Sequence, residues 1–576
     1  MSSCSQRSTR VPAAILSALL AVGATTGCSS TSSGKSSGAA GSAGGASAGA
    51  AGSGGGTGTA GATGAAGATG AAGATGAAGA TGAAGATGAA GAAGATGAAG
   101  TGAVDAAQSV LTRNKHETRD GSFVQPTLTK AMAAKMAPDV AFKATFTGSM
   151  WGSPLYAENG PAGKGAFFAA ATNNSVYALD ETSGAVLWMH SIGEAPQQSG
   201  AGCGSIHPIG IISTPVIDVA ARTIYVAGGI GPGDIQRHEI HALSLDDGTE
   251  RTGWPVNVSA LKDPGGLAFP TKAQNQRSAL SLVNGVLYVA YGGHVGDCSN
   301  YHGWVIAVNT KDPTKIGAWA TAGNGEAIWA AGGMASDGTG VFAVTGNRNG
   351  DSPTHQDSEE VVHLTGMAAL DRATGVYYPA GWRAMDGSDA DFGASSPVVL
   401  SVPGSTPSSL VAAAAKDGHL YLLDAANLGG MAGHLQDLNV ATGGAMNIRS
   451  ALASYVSTSG VHVVLNTVGG ASCGGGKGVV SVLVSPGSPP SAAQAWCAPT
   501  GGNSSPIATS TDGKNEAVVW FMNGNKLNGV DAETGTSLFG GGTAGCNGIQ
   551  AWTSPIAVKG RIVAGGDGNL CSWSAQ

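Results

Sequence analysis

One pattern recurs along the chain and sets what it can become: an alternating apolar strand, an acidic turn and a second strand. It reads NNSVYALDETSGAVLW at 173–188, EIHALSLDDGTERTGW at 239–254, WVIAVNTKDPTKIGAW at 304–319, LYLLDAANLGG at 420–430 and KLNGVDAETGTSLF at 526–539. A short apolar strand opening with a Ser/Thr-Pro pair stands before such units, as in GSPLYA at 152, STPVID at 213, SSPVVL at 395, SSPIAT at 504 and TSPIAV at 553. Proline suits the start of an inner strand, where a missing N–H matters least. Hairpin partners such as TIYVAGG, VLYVAYGG and GVFAVTG lie between, and degenerate copies open near Ser278, Gly333 and Ala451. The count is eight four-stranded antiparallel units with no helical period between them. Such an array is all-β and predicts an eight-bladed β-propeller, which removes exposed sheet edges by closing radially. The chain ends at GNLCSWSAQ, one strand short of a complete last blade, and AFKATFTG at 141–148 has the alternation to supply that strand and close the ring.

The first hundred residues follow a different logic. Residues 1–28 carry Arg7 and Arg10, the apolar run VPAAILSALLAVGA and then Thr25-Thr26-Gly27-Cys28. That run is too short to span a bilayer and suits a secretion signal. Small residues before cysteine resemble the lipobox of bacterial lipoproteins, which makes Cys28 the expected lipidation site. Ser29, in place of Asp, resembles the signal for the outer membrane, facing periplasm or cell surface. From 29 to 103 glycine recurs in GATGAA repeats without a proline, an aromatic or a large aliphatic side chain. Collagen needs proline to stiffen each strand, so this segment reads as a disordered tether. The propeller is expected over 104–576.

Net charge is −7, and loss of the signal's two arginines makes the mature chain more acidic, which argues against a nucleic-acid surface. Beyond Cys4 and Cys28 stand six cysteines, Cys203, Cys298, Cys473, Cys497, Cys546 and Cys571. An even number in an exported chain suggests disulfides, with the pairing open. None forms a CxxC, so zinc and thioredoxin-like readings fail.

VYALDETSGAVLW resembles the pyrroloquinoline-quinone (PQQ) repeat of the quinoprotein alcohol dehydrogenase-like eight-bladed propellers. NQRSALSLVNGVLYVAYGGH, YHGWVIAVN, IWAAGGMASDGTGVFAVTGN, KDGHLYLLDAANLGG and the opening SVLTRNKHETRDG resemble a group of secreted PQQ-repeat-like propeller proteins, over about 109–576. That resemblance implies a Cys203–Cys298 bridge between Gly-rich loops of adjacent blades, with Cys473–Cys497 and Cys546–Cys571 as the simplest remaining pairs. Where the resemblance leads one to expect His-x-His before the sixth inner strand, this chain has Asn447-Ile448-Arg449.

Loops leading into the inner strands of a propeller surround its axis. Here they carry Trp151, His207, Gln276, Arg277, Trp329, Asp389, Asp391, Asn447, Arg449, Asn503, Gln550 and Trp552. His207, Arg277, Trp329, Asp391, Arg449, Gln550 and Trp552 are the candidates for one mixed aromatic and polar ligand site. The resemblance admits PQQ and Ca2+ as cofactors, with Trp329 as aromatic floor, Arg277 at the quinone oxygens and Asp391 as base. The vicinal Cys-Cys of many such dehydrogenases is missing, and no calcium ligand set maps onto the chain, so no metal ligand is assigned. DGSDADFG at 386–393 lacks EF-hand order, and HEIH at 238–241 is not HExxH. The expected function is a non-enzymatic binding or scaffold module, attached to a membrane by lipid, whose partner is a protein, a glycan or a small molecule. A PQQ-dependent alcohol or sugar dehydrogenase is the alternative.

Overall fold

The computed structural model describes residues 107–441, 448–468, 473, 477–502, 504–541 and 545–576. The signal segment, Cys28, the tether, Asn447 and Asn503 lie outside them. The repeated units supply third and fourth strands of four-stranded antiparallel sheets, except that in the 420–430 unit Gly430–Met431 pairs parallel with Val376–Tyr378 of blade 4 and Gln436–Asn439 serves as the fourth strand of blade 5. In blade 1 the strands run from the axis outward as Leu155–Ala157, Ala166–Ala170, Ser175–Asp180 and Val186–Ser191. Blade 7 repeats the order with Ile507–Ser510, Val518–Asn523, Lys526–Asp531 and Ser537–Gly540. Eight sheets of this kind make the propeller. Second and third strands are buried on both faces because each blade is packed between two others, which is why they read as near-continuous apolar runs.

The last blade is completed from the N-terminal side. Ala144–Ser149 pairs antiparallel with Asp567–Ala575 through Ala144↔Leu570 and Thr145↔Asn569, and Met136–Pro138 covers the rest of that edge. A short helix, Trp382–Ser388, stands between blades 4 and 5, where the sequence pattern predicts no helix. It forms in an insertion without strand alternation and buries Trp382 and Met385, three residues apart on one face.

Two recurring residue pairs tie blade to blade. The Ser/Thr before each proline sits in a buried ring: Thr214 Oγ1 accepts the Ser153 N–H (2.8 Å), Ser153 Oγ the Ser554 N–H (2.9 Å) and Ser505 Oγ the Ala451 N–H (3.0 Å). Farther out, the tryptophan ending one unit docks on the acidic turn of the next. Trp188 Nε1 donates to Leu245 O (3.1 Å) and Trp496 Nε1 to Ala532 O (2.6 Å). The turn glycines below these rings, Gly248 (φ 75°) and Gly535 (φ 71°), have positive φ, and a Cβ on either would come within 2.7 Å of the indole. Glycine is required there by conformation and by close approach.

The axis is crossed by residues 110–125, which bond to every blade. Val110 donates to Tyr156 O (2.7 Å), and the carbonyls of Leu111, Glu117, Thr118, Asp120 and Gly121 accept N–H groups from Ile217, Ser336, Val399, Ser454 and Ala508. Ser122–Val124 then pairs parallel with Ala508–Ser510, Gln125 Nε2 reaches Ala557 O, and Arg119 Nη2 reaches Leu280 O of blade 3. This strap seals the channel. All six described cysteines are bridged, Cys203–Cys298, Cys473–Cys497 and Cys546–Cys571, with Cα separations of 5.9, 5.4 and 5.7 Å.

Candidate functional site

Above the strap lies a central cavity of about 220 Å3. Arg277, Trp329, Asp391, Arg449 and Trp552 all line it, each from the segment leading into a different blade's inner strand. They converge because those segments are equivalent positions of the repeat. Trp329 and Trp552 meet edge to face, with ring centroids 6.3 Å apart, and Trp151 leans on Trp552 at 6.5 Å. Trp552 is held at φ 69°, a conformation a bulky residue seldom adopts. Its carbonyl accepts from Arg113 of the strap, which also donates to Ser505 Oγ (2.9 Å), so the cavity floor and the strap are one bonded unit.

Arg277 lies over both indoles, 5.5 Å from Trp329 and 5.2 Å from Trp552, with only 5% of its surface exposed. Its Nε has no hydrogen-bond partner, and no carboxylate among the described residues pairs with it. Burial pushes its pKa down to about 10. On the facing wall Lys416 donates to Asp391 (2.7 Å) and Asp389 (2.8 Å) while standing 5.4 Å from the Trp329 ring. Burial alone would lower Lys416, but the two aspartates outweigh it and its pKa is raised. Asp391 is fully engaged: Oδ1 accepts the Asn347 N–H (2.8 Å) and Oδ2 takes Lys416. Burial lifts Asp391 above the usual carboxylate range, and Glu359, wholly buried beside it, is lifted further by burial and by Asp391.

Two expected members are elsewhere. His207 is exposed on the loop that carries Cys203, its Nδ1 against Gln197 O (2.7 Å), and it lines a separate surface depression with Asp234. The disulfide-anchored loop is long enough to carry it off the axis. Gln550 is turned to blade 8, donating to Asp567 Oδ1 (3.1 Å) and Gly548 O (3.3 Å), and does not line the cavity. Asp389 does line it; Gln276 is buried below and bonds Ser278 O. Lys416, Asn347 and Tyr301 were missed because they lie on loops after second strands, not before inner ones. The signal for Lys416 was available: a lone charge ending the apolar run VAAAAKDG.

Trp329, Trp552 and Arg277 would fit the ring and oxygens of a quinone. A calcium ion beside it is not matched, since Asp391 and Glu359 Oε2 are held by Lys416 and by backbone N–H groups. No group of three or more His, Cys, Asp or Glu among the described residues is placed to hold a metal ion. The cavity also falls below the roughly 300–1,000 Å3 of sites for drug-sized ligands.

No family model matches the chain, and no curated protein does. Among solved structures it is similar to the quinohemoprotein alcohol dehydrogenase from Comamonas testosteroni, with 13% identity over 81% of this chain and 80% of that one and a TM-score of 0.56. It is likewise similar to a europium-containing methanol dehydrogenase, with 13% identity over 80% of this chain and 90% of that one and a TM-score of 0.52. The chain thus has the eight-bladed propeller fold of the quinoprotein alcohol dehydrogenases.

Proposed function

We propose that this protein is an exported, lipid-anchored propeller of the outer membrane that acts as a non-enzymatic binding module and takes a small molecule in its central cavity. The observation that carries the reading is the cavity wall itself. Among the described residues Arg277 offers the cavity a guanidinium whose Nε has no partner, whereas Asp391, the carboxylate best placed to act as a base, has Lys416 and the Asn347 N–H on its two oxygens. A general base must be free to take a proton, so this geometry favours holding a ligand over turning it over. The strap closes the channel below, which makes the site a cup open at one end. A shared fold does not carry an activity with it.

The test is a thermal-shift and equilibrium-dialysis screen of the purified full chain against small metabolite-like compounds, repeated with Trp329→Ala. A ligand that raises the melting temperature of the wild type and not of the variant supports the reading. Dye reduction with an alcohol or sugar after adding PQQ and Ca2+ would overturn it in favour of a dehydrogenase. A screen without any hit would move the function to the outer loops, as a scaffold for a protein or glycan. The anchor has its own test: Cys28→Ser should shift the protein from the membrane to the soluble fraction, and a wild type without acyl chains by mass spectrometry would refute it.

A further inference from the structure

We infer that the ligand of the central cavity is a small organic acid, bound through its carboxylate by Arg277. This rests on the binding reading above and narrows it to a chemical class. The Arg277 guanidinium lies 5.5 Å from the Trp329 ring and 5.2 Å from the Trp552 ring, and cation–π contact holds a guanidinium without consuming its N–H groups. No acceptor among the described residues takes its Nε, and a guanidinium fork matches a carboxylate in two parallel bonds.

A buried guanidinium without an anion is unfavourable, least so where its N–H groups are bonded. The two buried arginines of the strap also lack a carboxylate, but Arg119 gives all three nitrogens to acceptors and Arg113 bonds Ser505 Oγ and Trp552 O through Nη2. Arg277 lines the cavity with neither a carboxylate nor a hydrogen bond to its Nε among the described residues. The acidic groups of the cavity are offset in part: Asp391 and Asp389 share the single ammonium of Lys416, and Asp297 accepts the Tyr301 hydroxyl (2.7 Å), so an incoming anion is drawn to the Arg277 end. The indoles beside the fork favour an acid with a flat apolar body, and the 220 Å3 volume restricts it to a compact one.

The probes are benzoate, benzamide as its uncharged isostere, and inorganic phosphate, titrated into the full chain at low salt with tryptophan fluorescence and calorimetry as readouts. Benzoate should bind about tenfold to a hundredfold more tightly than benzamide, the range a charge-assisted bidentate pair supplies. Arg277→Met should erase that preference and, without ligand, melt no lower than the wild type, since it removes an unpaired buried charge. A channel plug whose role is structural would instead lose stability in that variant, and this result would overturn the inference. So would equal binding of benzamide, or a preference that survives Arg277→Met; either leaves a binding cavity of a different ligand class. Phosphate competing as well as benzoate would overturn the organic-acid class in favour of inorganic anions. If none of the probes binds and the wider screen is also empty, the binding reading falls with it.

Discussion

Arg119 is the residue whose loss should be felt across the whole ring. Nε donates to Met334 O (2.8 Å), Nη1 to Arg113 O (2.9 Å) and Thr112 Oγ1, and Nη2 to Leu280 O (2.8 Å) and Ser281 Oγ (2.7 Å). In Arg119→Met two buried carbonyls, Leu280 O of blade 3 and Arg113 O of the strap, lose their donor at about 1–3 kcal/mol each, while Met334 O keeps Ser281 Oγ (2.9 Å). Relief of the buried charge, and of its repulsion by Arg113, returns part of that, so the net loss should be about 2–4 kcal/mol. A body of roughly 470 residues unfolds with an entropy near 1 kcal/mol/K, so the melting temperature should fall by about 2–4 °C. Arg113 is the internal control: it is equally buried, but its Nε and Nη1 have no partner and only Nη2 is bonded. Arg113→Met should therefore cost less. Scanning calorimetry on both variants, with hydrogen exchange of residues 110–125, makes the comparison. If Arg119→Met melts within about 1 °C of the wild type, or Arg113→Met is the worse of the two, the strap is not the keystone described here.

Two further outcomes follow from buried chemistry away from the cavity. Glu326 is wholly buried and burial, more than Asp357, pushes its pKa up to about 7, even with Arg348 at 3.9 Å. A raised carboxyl stabilises fully below its usual 4.5 and loses that contribution as pH rises through 7. Denaturant titrations should thus show stability falling from pH 5 to pH 8, and Glu326→Gln should recover about 2–3 kcal/mol of it at pH 8 and almost none at pH 5. Among the disulfides, Cys203–Cys298 spans 95 residues against 24 and 25 for the others, so on the chain-entropy account its removal by paired Ser substitutions should destabilise most, by about 4–5 kcal/mol. Equal losses from all three would mean that unfolded-chain entropy is not what these bridges act on.

Sequence alone carried the propeller because its signals are local and repeated. The Ser/Thr before proline, the acidic Gly turn and the terminal Trp each contact a neighbouring blade, so the clearer copies share these residues, as in Trp188 on Gly248 and Trp496 on Gly535. Arg277, Trp329, Asp391, Arg449 and Trp552 were legible for the same reason, since one register places them all at the axis. The strap was not legible as a structural element. TRNKHETRDG has the composition of a surface loop, yet Arg113, Asn114, Lys115 and Arg119 are buried. Its bonds reach all eight blades, one of them to a partner 432 residues away, and no periodicity within the segment reports them.

That difference bears on where function sits. Eight equivalent approaches to the axis would build a ring with eightfold likeness, and a ring of identical Ser/Thr contacts has no preference for any ligand. Specificity enters where the copies depart from one another: Arg277 just before Ser278 in blade 3, where blade 8 has Trp552 before Thr553, Trp329 in blade 4, and the Asp389–Asp391 pair that follows the inserted helix before blade 5. The same departures leave the Arg277 guanidinium of the cavity without a carboxylate partner among the described residues while pairing Lys416 twice. Repetition supplies a rigid cup, and the irregular positions supply its charge pattern. A chain that needed only a closed channel could have kept the repeat in all eight positions, with the strap as its stopper.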